Sequence, residues 1–176
     1  MNSLIQINSL RFIALVFSQV LVLNHINFLG YINPYCYILF IILFPIYNNR
    51  LLFIFLSFLL GLTIDMFSDS GGIHAAASVT IAYMRPLFLK SAFGMLYEHQ
   101  TIKFKDTDLG TRLGYMAILI VIHHLILFSL EVFNISQILL ILKKTLFSSI
   151  FTLILCLLIT VLFSRNSKWE NYYWFR

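Results

Sequence analysis

Long apolar runs broken by short polar clusters dominate this chain, at a spacing that predicts membrane-spanning helices. A span needs about 20 mainly apolar residues. Six candidates follow, at about 10–29, 35–47, 51–68, 73–89, 112–130 and 145–164. Asn24, His25 and Asn27 mark the end of the first. Asn33-Pro34 and Asn48-Asn49-Arg50 bound the second, which is short and contains Pro45. The tight turn Asp69-Ser70-Gly71-Gly72 joins the third and fourth. The fourth carries Arg85-Pro86. The longest hydrophilic stretch, 90–111, is too short for a nucleotide-binding fold. Residues 138–142 read as an interfacial turn before the sixth span. An aromatic tail at 165–176 reads as an interfacial anchor, because Trp and Tyr favour the headgroup level. There is no internal repeat, no low-complexity stretch and no extramembrane domain.

Composition sharpens this reading. Of 176 residues, 60% are hydrophobic and 11% are charged, against about 25% charged in an average soluble domain. The mean hydropathy is +0.90. A soluble fold would lack polar surface to cover itself, and disordered chains are poor in apolar residues. The expected class is therefore an all-α integral membrane protein, a bundle of about six transmembrane helices. The start of the chain does not read as a cleavable signal, since no small-x-small site follows the first apolar run.

Net charge is +5. In a soluble protein that would suggest nucleic acid; here it fits basic loops kept on the cytoplasmic side. With both termini cytoplasmic, the inner segments hold Arg11, Arg50, Lys90, Lys103, Lys105, Arg112, Arg165, Lys168 and Arg176. The outer segments hold only Lys143 and Lys144. That pair belongs at the outer interface, because burying it in one long span from 138 to 164 would be costly. Cys36 and Cys156 lie in apolar runs without metal spacing and read as free, buried thiols.

The few polar residues inside the spans are the candidate chemistry. Asp65 sits late in the third span, on a face shared with Ser57, Gly61 and Ser68. Small residues four apart let helices approach closely in lipid. His74, Ser78, Ala82 and Arg85 form a matching stripe on the fourth span. The two stripes should face each other, with a hydrogen bond or ion pair joining Asp65 and His74. An unpaired Asp65 would cost about 2.5–3.5 kcal/mol on insertion scales. Arg85 either reaches the cytoplasmic headgroups or faces inward; Pro86 frees the Ala82 carbonyl, which Arg85 or a Ser could satisfy. Gln19 needs an interhelical partner. His123 and His124 sit mid-span and point about 100° apart, so at most one readily faces a given site. This set reads either as helix-joining polar contacts or as a proton or ligand path. Their spacing does not suit a metal. Motifs for zinc proteases, serine hydrolases and phosphate loops are absent, as is a second intramembrane Asp for a dyad, so no enzyme activity and no cofactor are expected.

Gly61-Leu62-Thr63-Ile64-Asp65-Met66-Phe67-Ser68, followed by Gly72-Ile73-His74-Ala75, resembles the rod shape-determining MreD family. That family carries Gly-x-x-x-Asp-[Leu/Met] late in its third span, then a Ser, a Gly and a fourth span rich in small residues. Gly61, Asp65, Met66, Ser68, Gly72 and the run Ala75–Ser78 match; Gln19 and Pro34 fit its looser pattern. His74 departs from it, standing where other branches often have Gly. The His pair and the aromatic tail are not marks of the family. The resemblance implies a fold like the substrate-binding subunits of energy-coupling-factor transporters. It implies a non-enzymatic scaffold in the bacterial inner membrane. The implied partners are MreC, the actin-like MreB, the glycosyltransferase RodA and a penicillin-binding transpeptidase. Gly61, Asp65, Ser68, Gly72 and His74 would then fix the hairpin that docks the partner. A vitamin-like substrate-capture subunit is the rival reading. A proton-conducting or pH-sensing element, resting on Asp65 and the histidines, is a third.

Overall fold

The computed structural model describes residues 2–28, 30, 32–46, 49–98 and 107–164. The aromatic tail and residues 99–106 lie outside the described residues. Among those described, regular structure is helical: α1 (Asn2–Leu21), α2 (Ile38–Ile42), α3 (Arg50–Ser68), α4 (Ile73–Phe93), α5 (Met95–Glu98), α6 (Leu109–Val132) and α7 (Ile138–Ser164). Among the described residues, three helices are long and apolar enough to cross a membrane: Arg50–Ser68, Leu109–Val132 and Ile138–Leu162.

Local chemistry sets the helix ends. The Asn49 side chain accepts from the Leu51 amide and starts α3. The Asp108 carboxylate accepts from the Thr111 amide and starts α6. Both relieve amides that have no partner within their own helix. α3 stops at Asp69, whose left-handed backbone (φ 50°) turns the chain. Gly72 follows at φ 95°, a conformation available to glycine without a Cβ clash.

The apolar stretch 35–47 is helical only at Ile38–Ile42, and all five of those residues are buried. Pro45 stops the helix from continuing, and on the other side the Asn33, Tyr35 and Tyr37 amides bond to the Ser148, Thr152 and Gln19 side chains instead of to helix carbonyls. Its irregular backbone lies inside the protein, where neighbouring groups can satisfy it. Tyr35 sits beside His74 in the first turn of α4, with ring centroids 5.5 Å apart. The Ile42 carbonyl meets Arg85, eleven residues further along α4, about 16 Å away. The segment therefore runs beside α4 from the 69–72 turn toward the far end.

Other contacts fix the directions of the remaining helices. Arg11 donates to the Leu43 carbonyl, whereas Gln19 donates to the Pro34 carbonyl, so α1 rises toward the turn end. Tyr115 meets Arg85 and His123 meets Tyr37, so α6 rises too. α6 and α7 pack against each other, as do α4 and α6, and α3 and α4.

α7 is one continuous helix from Ile138, which corrects the expected interfacial turn at 138–142. Its 27 residues reach about 40 Å, beyond the roughly 30 Å hydrocarbon layer. The excess length lets Lys143 and Lys144 stay within the helix without deep burial. Lys144 pairs with Glu131 at 2.7 Å.

Candidate functional site

The turn end of the bundle holds a buried polar cluster built on the α3–α4 hairpin. Gly61 is its steric basis. A Cβ there would lie 2.5 Å from both the Ala75 Cα and the His74 carbonyl oxygen. Only a residue without a side chain lets the α3 backbone touch α4 this closely.

One turn on, the Asp65 carboxylate crosses to the start of α4. Oδ1 accepts from the Ser70 hydroxyl at 2.6 Å and the His74 amide at 3.0 Å. Oδ2 accepts from the Ala75 amide at 2.8 Å. Gly72, which begins α4, offers no side-chain cap. Asp65 therefore caps α4 from the preceding helix, relieving amides otherwise unpaired in the first turn. Its negative charge also opposes the positive end of the α4 dipole.

His74 completes the hairpin. Its Nδ1 lies 2.9 Å from Asp65 Oδ1 and 3.0 Å from the Ser70 hydroxyl oxygen. A carboxylate that accepts from two amides and a hydroxyl is an acceptor here, so Nδ1 carries the proton and donates. The expected Asp65–His74 contact is present. Ser68 is exposed rather than part of the buried stripe; it accepts from Asn24, which ties the end of α1 to the hairpin. Gln19 is fully buried and donates to both Asn24 and the Pro34 carbonyl.

Deeper in the bundle, His123 and His124 are both fully buried. Their expected divergence is resolved by two different partners. His123 Nε2 shares a hydrogen bond with the Tyr37 hydroxyl at 2.9 Å. His124 Nδ1 lies 2.7 Å from the Ile120 carbonyl, which only accepts, so this nitrogen holds the proton. Its Nε2 then accepts from Thr152, which in turn accepts from the Tyr35 amide. Tyr35 and Tyr37 lie between the hairpin and the histidine pair, with each ring within 6 Å of the His74 ring.

These two tyrosines and Ser70 are absent from the candidates singled out by sequence. Tyr35 and Tyr37 looked like ordinary members of an apolar run. A usable signal lay in α7: Thr145, Ser148, Ser149 and Thr152 recur at three- and four-residue steps, and all are buried. Ser148 and Thr152 bind the Asn33 and Tyr35 amides and so hold the irregular 33–37 backbone.

Arg85 forms a separate centre about 16 Å from His74 along α4. It faces inward, with 3% exposure. Its Nη2 donates to the Ile42 and Phe44 carbonyls, its Nε donates to the Tyr115 hydroxyl at 3.0 Å, and the guanidinium lies over the Phe53 ring. The carbonyls it satisfies end α2, rather than the Ala82 carbonyl freed by Pro86. The planar guanidinium holds both carbonyls through Nη2 and the Tyr115 hydroxyl through Nε, and a lysine with one nitrogen cannot span all three. Arg85→Lys is expected to loosen the 38–44 segment and cost about 1–3 kcal/mol, read as a lower midpoint of thermal unfolding by circular dichroism in detergent.

Among the described residues, no cluster of three or more His, Cys, Asp or Glu side chains is placed to hold a metal ion. Cys36 and Cys156 are free and buried. A pocket of about 190 Å³ opens between α7 and the residues Phe28 and Ile32, lined also by Phe147, Ile150, Phe151 and Ile154. It is apolar and shares no residue with the hairpin. Comparison with known protein families, curated proteins and solved structures finds no match. The site and fold therefore define the class on their own: a helical membrane protein with a self-bonded polar hairpin.

Proposed function

We propose that this chain is a membrane scaffold subunit of a bacterial cell-elongation machinery, of the kind the MreD resemblance implies. It docks the transmembrane helix of an MreC-type partner. Through that partner it links cytoplasmic MreB filaments to peptidoglycan synthesis by RodA and a penicillin-binding transpeptidase. It lies in the inner membrane with six crossings, both termini in the cytoplasm and the 69–72 turn outside. The alternating direction of α1, 35–44, α3, α4, α6 and α7 supports six crossings. The second needs few helical residues, since extended backbone advances about 3.3 Å per residue.

One observation carries the scaffold reading. Gly61 and Asp65, central to the resemblance, are both spent on joining α3 to α4. A capture subunit would instead turn such groups toward a solute; the pocket against α7 and a second one between residues 88–92 and α6 include neither Gly61 nor Asp65. Crosslinking-assisted pull-down of the tagged protein from native membranes tests this reading. Recovery of an MreC-type protein with elongation synthases is expected. Recovery of a transport ATPase, with saturable thermal stabilisation of the purified protein by a vitamin, would overturn it in favour of substrate capture.

A further inference from the structure

We propose that the exposed face shared by Arg50 and the second half of α4 binds an anionic phospholipid through its phosphate. The inference rests on the membrane class alone and does not depend on the scaffold reading.

Helix length sets the level of the site. α3 has 19 residues and spans about 28 Å, close to the roughly 30 Å of a hydrocarbon layer. With the 69–72 turn at one boundary, Arg50 at the start of α3 stands at the other, where lipid phosphates lie. Lys90 is in the last turn of α4. α4 runs back along α3, so Lys90 comes to the same end.

Arg50, Tyr83 and Lys90 then share one surface. The Arg50 guanidinium lies over the Tyr83 ring, 5.0 Å from its centroid, and Nη2 donates to the Tyr83 carbonyl at 3.4 Å. Lys90 follows Tyr83 on the same face of α4, two turns and about 10 Å further on. Arg50 and Lys90 are both exposed. Two long basic side chains at this spacing can close on one phosphate from either side. In the described bonds Tyr83 takes one guanidinium N–H of the five that an arginine carries. A bidentate grip on two phosphate oxygens therefore remains open to Arg50.

The charges around this face are of one sign. α1 and α4 contain no Asp or Glu, and the one carboxylate of α3, Asp65, belongs to its opposite end. Asp108 caps the start of α6, and α6 packs on the Arg85 side of α4, away from Tyr83 and Lys90. Arg85 itself turns inward onto the Ile42 and Phe44 carbonyls.

The apolar neighbours decide between occupants. Leu51 is 77% exposed, Leu87 65% and Tyr83 63%. A soluble acidic peptide would meet the cations and leave these side chains facing lipid or water unchanged. A phospholipid satisfies both parts, with its phosphate on the cations and its acyl chains along the leucines and the tyrosine ring.

The test is native mass spectrometry of the full chain in detergent, titrated with phosphatidylglycerol or with phosphatidylcholine of the same acyl chains. The parent is expected to retain phosphatidylglycerol in preference. Arg50→Gln combined with Lys90→Gln is expected to weaken that binding about thirtyfold, since each basic residue near an anionic lipid surface is worth about fivefold. Lys144→Gln, at the other end of the bundle, is expected to leave it unchanged. Equal retention of the two lipids by the parent would overturn the proposal, as would a double variant that binds phosphatidylglycerol like the parent. Displacement of the lipid by an equal concentration of inorganic phosphate would show a site for a free anion and would also overturn it. A photoreactive phosphatidylglycerol in nanodiscs reads the site in the parent without any variant. Label is expected on peptides carrying residues 50–52 and 83–90, and label confined to other peptides would contradict the assignment.

Discussion

Gly61→Ala is expected to prevent stable folding, or to lower the thermal midpoint more than any other single methyl addition in the bundle. The added carbon would meet the Ala75 Cα and amide nitrogen and the His74 carbonyl oxygen, all main-chain atoms, at 2.5–2.6 Å. A side chain in the way could rotate; a helix backbone must translate. Overpacking usually costs about 1–3 kcal/mol, and a backbone clash belongs at the upper end of that range or beyond. Moving α4 outward would also pull its first turn away from Asp65 and break the cap. Gly114→Ala supplies the control. It lies on α6 with nothing within 4 Å of its Cβ position, and it replaces glycine by a better helix former. Circular dichroism melts of the two variants in the same detergent should separate widely, with Gly114→Ala at or above the parent. Equal melts would mean that α3 and α4 are not in contact at Gly61.

Asp65→Leu is expected to have the second large effect, for a different reason. Leucine suits the lipid environment, so the loss does not come from helix insertion. It comes from the donors left behind. Ser70 can rotate its hydroxyl and His74 can turn its ring, but the His74 and Ala75 amides are fixed by the helix. No other side chain caps α4. Two stranded amides cost about 2–6 kcal/mol at roughly 1–3 kcal/mol each. Asp65→Asn should fall between leucine and the parent, since it keeps one acceptor oxygen and loses the charge. If Asp65→Leu melts with the parent, the carboxylate is not the cap of α4.

Much of this architecture was legible in the chain. The membrane class followed from apolar run length and scarce charge, and the existence of three span-length helices is in line with it. The Asp65–His74 pairing followed from two helical stripes joined by a four-residue turn. The form of that pairing was less accessible. Helical periodicity places a carboxylate on a face, but it does not say that the carboxylate reaches past the side chain to the next helix's amides. The segment 35–47 misled for a similar reason. Hydropathy measures burial, and these residues are buried; it does not measure winding, which Pro45 and the side-chain bonds to the Asn33, Tyr35 and Tyr37 amides limit. The roles of Tyr35 and Tyr37 depended on that irregular backbone, so they stayed hidden with it. The continuous α7 is hidden from hydropathy because Lys143 and Lys144 interrupt the apolar run, although a helix of about 40 Å can carry charges beyond a hydrocarbon layer of roughly 30 Å.

The central claim is that the intramembrane carboxylate is committed to closing the α3–α4 hairpin. Residue-resolved amide hydrogen exchange, comparing the parent with Asp65→Asn in nanodiscs, tests it most directly. The account predicts that the His74 and Ala75 amides are protected in the parent and lose protection selectively in the variant, while amides in the middle of α3 and α6 do not change. Unchanged protection at His74 and Ala75 in a folded Asp65→Asn protein would contradict it.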